Sequence, residues 1–140
     1  MGSRSILRDA GIVLIRVERC HLLSLYILGS AKWENREAGM DRIAMLSEIL
    51  AENPDDAFAR YGLAMEYAKT DVDRAMQEFQ TLFSKHPEYT AGYFMAAQTL
   101  AGAGRVDEAK TMLGKGIETA KRSGNSHAES EMGAMLAELG

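Results

Sequence analysis

The side chains that could carry chemistry are few and scattered. Glu66, Asp71, Asp73 and Glu78 lie close enough in the chain to supply paired carboxylates for general acid–base work. Acidic residues at this density also belong at helix starts and on solvated faces, and that reading accounts for them more simply. His21, His86 and His127 are too far apart for a metal cluster, and the single Cys20 has no Cys/His spacing that suits zinc. His86 stands before Pro87 as a polar helix-end residue, and Tyr67, Tyr89 and Tyr93 read as packing residues. No nucleophile–base pair or phosphate-binding loop appears in the sequence. The chain is therefore read as a non-enzyme, with no catalytic residues, no metal and no cofactor.

The elements that would position any site are helices. Ala, Leu, Met and Glu are abundant and there are only two prolines, which favours helix over sheet. At 140 residues with 46% hydrophobic and 26% charged, the chain is large enough to bury a core without disulfides. Its net charge of −4 argues against nucleic acid as a partner, because phosphate binding needs concentrated Lys and Arg. The charge is uneven: residues 1–39 carry six Lys+Arg against four Asp+Glu, and residues 40–140 carry ten against sixteen.

That seam suggests an N-terminal extension over residues 1–39 and a helical domain over 40–140. The apolar runs Gly11–Ile15 and Leu22–Leu28 are too short to span a membrane. As a secretory signal with cleavage near Gly29-Ser30-Ala31, the segment has an overlong start carrying Asp9 and Glu18, and a cytoplasmic location is the better expectation. Met40 is a candidate natural initiator, with the preceding residues read from upstream. Alternatively, the extension covers the exposed end of the domain.

Within the domain one pattern is written twice. An offset of 33 places Ala64 on Ala97 and Tyr67 on Leu100; an offset of 34 places Val72 on Val106, Asp73 on Asp107, Ala75 on Ala109 and Phe79 on Leu113. A period in the low thirties with two helical patterns in each copy marks a stacked array of helix pairs. Residues 40–54 supply half a copy, with Ile43, Leu46, Ile49 and Leu50 on one helical face, Asp41 as its cap and Asn53-Pro54 as its stop. Gly104 suits a left-handed turn, and Lys121 stands where a proline would end the second copy, so that helix is expected to run on. After Ser123-Gly124-Asn125, a capping box of Ser126 and Glu129 opens a last helix with Ala128, Met132, Met135, Leu136 and Leu139 as its apolar stripe.

Ala64, Tyr67, Ala75, Phe79 and Pro87, renewed by Ala97, Leu100, Gly104 and Ala109, resemble the signature of the tetratricopeptide repeat. The resemblance covers roughly residues 40–122 and departs from the family at Arg60 and Tyr93, where Trp is usual, and at Gly116, where Ala is common. It implies an all-α, right-handed superhelix of antiparallel helix pairs, closed by a C-terminal capping helix. Ala64 would face Ala75, and Ala97 would face Ala109. It further implies a concave groove lined by Phe58, Tyr61, Met65 and Lys69 from the first pair and by Phe94, Met95 and Gln98 from the second. Members that clamp a C-terminal carboxylate need Lys and Asn there, so this aromatic and Met-rich surface is expected to take an apolar peptide or helix instead. The expected function is a protein-interaction adaptor or scaffold; the alternative is a homo-oligomer that buries the groove or the N-terminal edge against its own copy.

Overall fold

The computed structural model describes residues 38–140, and among them every regular element is an α-helix. The extension expected over 1–39 lies outside the described residues except for its last two, as do the signal-like run and the cover it was expected to provide. Residues 38–52 form α1, of which 41–52 belong to the unit Asp41–Gly140. It is followed by α2 (Ala57–Tyr67), α3 (Val72–Lys85), α4 (Thr90–Gly102), α5 (Val106–Ser123) and α6 (Ser126–Glu138). The short turns force neighbouring helices to run antiparallel, and α2 pairs with α3, α4 with α5, and α6 closes on α5.

Local chemistry fixes the helix ends. The Asp56 carboxylate accepts from the Ala59 N–H at 2.8 Å, and Asp71 accepts from Arg74 at 3.0 Å. Gly104 (φ 76) and Gly124 (φ 71) take the left-handed conformation that ends α4 and α5. With no proline at 121, α5 runs on to Ser123 as expected. Two expected caps differ. Residues 38–40 are already helical, so Asp41 is an interior position. Asn125, rather than Ser126, caps α6 by accepting from the Ala128 N–H at 3.1 Å, and Glu129 pairs with Lys121 at 3.7 Å instead of closing a capping box.

All four repeat alanines are fully buried. Ala64 and Ala75 share a cluster with Phe79, Leu82, Leu100 and Ala109. Ala97 instead belongs with Leu113, Ala120 and Met132 in the next cluster, and its neighbour Ala96 is the one grouped with Ala109. Helix α4 thus contributes to both clusters through adjacent alanines. An aromatic series links the layers: Phe79 stacks near Phe83 (centroids 6.2 Å apart), and Phe83 stacks on Tyr93 (3.9 Å, interplanar 6°). The Tyr93 hydroxyl donates to the Pro87 carbonyl at 3.1 Å. At the matching place in the first pair, Arg60 reaches Glu78 at 2.8 Å and the Pro54 carbonyl at 3.0 Å, a polar substitute for an aromatic wedge.

The half repeat packs as expected in part. Leu46 and Leu50 are buried against Ala59 and Leu63, with Ile43 at the edge. Ile49, expected on the same face, is 40% exposed, and Met45 is 54% exposed.

Gly116 has a packing reason that its helix propensity concealed. A Cβ there would lie 2.7 Å from Tyr93 Cβ and closer still to the Met132 sulfur, whereas one at Gly114 would meet nothing within 4 Å. The two glycines therefore predict opposite outcomes on the same helix. Gly114→Ala should stabilise the protein by about 0.5–1 kcal/mol. Gly116→Ala should cost about 1–3 kcal/mol, because a Cβ–Cβ overlap cannot be relieved by a rotamer change. Urea unfolding of the two variants would measure this, and a Gly116→Ala protein as stable as the parent would contradict the packing account.

Candidate functional site

Helices α2, α4 and α6 present one side of the unit to solvent, and a cavity of about 250 Å³ opens among them. Tyr61 comes from α2; Thr90, Ala91, Phe94 and Met95 come from α4; and Asn125, His127, Ala128 and Glu131 come from the start of α6. Three of the seven expected groove residues, Tyr61, Phe94 and Met95, thus meet in one place. Phe58 is not in the lining but stands 77% exposed in the first turn of α2. Met65 is half-buried against the first core cluster. Lys69 is turned to Glu66, donating at 2.7 Å, and Gln98 is exposed one turn beyond Phe94.

The α6 wall is the part that sequence reasoning missed. Ala128, expected in the apolar stripe of the last helix, lines the cavity together with Glu131. The Asn125 side chain positions this wall: its amide donates to the Thr90 hydroxyl at 3.2 Å while its carbonyl oxygen caps α6. His127 Nε2 lies 3.5 Å from the Glu131 carboxylate, one helical turn away. The repeat offset is the signal that could have found these residues, since α6 begins where a third first-helix would begin.

The residues first weighed as acid–base candidates all have structural partners. Glu66 is only 5% exposed, and its carboxylate is held by Arg42 at 3.2 Å and Lys69 at 2.7 Å. Glu78 pairs with Arg60, Asp71 caps α3, and Asp73 pairs with Arg105 at 2.7 Å. The His86 ring nitrogen lies 2.7 Å from the Asp55 carbonyl, tying the end of α3 to the turn before α2. Among the described residues, every buried side-chain polar atom has a partner and no group of His, Cys, Asp or Glu is arranged to hold a metal. Among the same residues, no helix is long and apolar enough to cross a membrane.

The Tyr61 ring lies 6.4 Å from Phe79 and 5.5 Å from Tyr89. Burial, and secondarily the neighbouring Tyr89, raises the Tyr61 phenol above its ordinary 10.0, and burial does the same to Tyr89. The folded state therefore holds these protons more tightly than the unfolded chain. Their contribution to stability is intact below pH 10.0 and is lost as the pH climbs through the raised values. Tyrosinate absorbance should show late-ionising phenols, and Tyr61→Phe should remove one of them and move alkaline unfolding to higher pH. Identical titration curves for the parent and the variant would refute this placement of the ring.

Known proteins share this architecture. The family model for the tetratricopeptide repeat matches residues 66–128. A TPR repeat-containing protein of Pseudomonas aeruginosa is 32% identical over 95 residues, covering 67% of this chain and 90% of that protein. The solution structure of a tetratricopeptide repeat domain protein from Salinibacter ruber is 31% identical, with a TM-score of 0.57 over 62% of this chain and 89% of that one. The Yersinia enterocolitica type III secretion chaperone SycD, solved with a peptide of the translocator YopD, matches with a TM-score of 0.64 at 19% identity, over 84% of this chain and 91% of that one. The repeated alanines, the stacked helix pairs and a relative matched along nine-tenths of its length lead to one conclusion: this chain belongs to the tetratricopeptide repeat family.

Proposed function

We propose that the protein is a non-catalytic, cytoplasmic interaction adaptor that binds an apolar peptide or amphipathic helix along the surface made by α2, α4 and α6. The observation that carries this reading is the open cavity walled by Tyr61, Phe94 and Met95, with Phe58 exposed beyond it. About 250 Å³ lies below the usual range for small-molecule and cofactor sites, roughly 300–1,000 Å³, and suits one or two side chains of a longer ligand. Aromatic and thioether walls adapt to apolar side chains without demanding a fixed polar pattern. SycD, which shares the fold, is solved with a peptide bound, and this supports the class of ligand but does not identify the partner. Met65, Lys69 and Gln98 continue the proposed surface toward the end of the first helices.

A second reading has its own observation. Met45 and Ile49 leave an apolar strip on α1, and self-association through that edge, or through the groove itself, would cover it. Light scattering distinguishes the two, because a strict monomer at micromolar concentration removes the second.

Phe94→Glu should weaken binding of a short leucine-rich amphipathic peptide at least about tenfold, in line with loss of a central aromatic contact. Because Phe94 is only half-buried, thermal unfolding should move little. Unchanged peptide affinity in a folded Phe94→Glu protein would refute the groove assignment.

A further inference from the structure

The cavity's lining carries one carboxylate and no Lys or Arg. Glu131 is the acidic group, with a half-exposed side chain. The only other ionisable side chains in the lining are the Tyr61 phenol and His127, which balances Glu131 only when protonated. Among the described residues, Lys69 pairs with Glu66, Lys121 with Glu129, and Arg122 donates to the Thr119 hydroxyl. One carboxylate therefore shares the cavity wall with two aromatic rings and a thioether, in a domain whose charged residues number ten basic and sixteen acidic over 40–140.

We infer that the cavity selects a cationic side chain, specifically an arginine borne on the apolar segment that the groove binds. This rests on the groove reading above. A guanidinium is weakly hydrated and planar, so it can stack on the faces of Tyr61 and Phe94 while its N–H groups reach the Glu131 carboxylate. The aliphatic stem of the arginine would lie against Met95 and Ala128. An acidic ligand would place like charges together, so the domain's negative balance favours the same class of partner at long range.

The test uses the full chain at pH 8, above the ordinary imidazole range, and three leucine-rich amphipathic peptides that differ at one central position: arginine, its neutral isostere citrulline, or glutamate. Fluorescence anisotropy should show the arginine peptide binding about fivefold tighter than the citrulline peptide at low ionic strength, with the advantage shrinking in high salt. Glu131→Gln should bring the arginine peptide down to the citrulline peptide's affinity, and Glu131→Lys should move the preference to the glutamate peptide. Equal binding of the arginine and citrulline peptides, both abolished by Phe94→Glu, overturns the charge selection while the groove stands. An arginine preference that survives Glu131→Gln also overturns it. Failure of all three peptides to bind overturns both readings.

Discussion

Close approach of helix backbones is the constraint on which the structure depends. Ala64, Ala75, Ala96, Ala97 and Ala109 are fully buried between the helices. Gly92 and Gly116 go further, since even a methyl group at either would collide with Phe83 or Tyr93. Large side chains then fill the spaces between crossings, with Phe79, Leu82, Leu100, Leu113 and Met132 sealed from solvent. A bulkier residue at any crossing would push a pair apart and disturb the aromatic series from Phe79 through Phe83 to Tyr93. The cavity among α2, α4 and α6 exists because those helices are held at that spacing.

Polar chemistry in the array serves mainly to set register. Arg60 and Tyr93 stand at matching places in the two copies and do comparable work by different means. Arg60 grips Glu78 and the Pro54 carbonyl, while Tyr93 stacks on Phe83 and donates to Pro87. The buried Glu66 is held between Arg42 of α1 and Lys69 in the turn after α2, so the half repeat is fastened to the first complete pair by charge as well as by Leu46 and Leu50. A paired and hydrogen-bonded carboxylate at such depth is expected to matter more when one partner is lost than its net contribution to stability suggests.

Much of the fold was legible because its signals are local. The doubled pattern, the turn at Gly104 and the extended α5 each follow from residue type and spacing. The errors also share a cause, which is that they concern what a residue meets in space. Ser126 and Glu129 read as a capping box, yet Asn125 takes the cap because its amide is simultaneously bound to Thr90 on another helix. Ile49 has helical spacing with Leu46 and Leu50 but stays 40% exposed. Of the candidate groove, Tyr61, Phe94 and Met95 were identifiable from repeat position, whereas Glu131 and His127 were not, because each sits on a helix first read only as a closing cap.

By itself, the sequence determined that this is a helical array of the tetratricopeptide kind, since alanine and aromatic spacing repeats along the chain and spacing along the chain is all that helix pairing needs. Tertiary structure decided which of those residues share a surface. It paired Lys69 with Glu66, brought the first turns of α6 against α4, and gave Gly116 its purpose beneath Met132. These outcomes depend on contacts between helices far apart in the chain, and the periodicity of one helix carries no information about the side chain that will arrive from another.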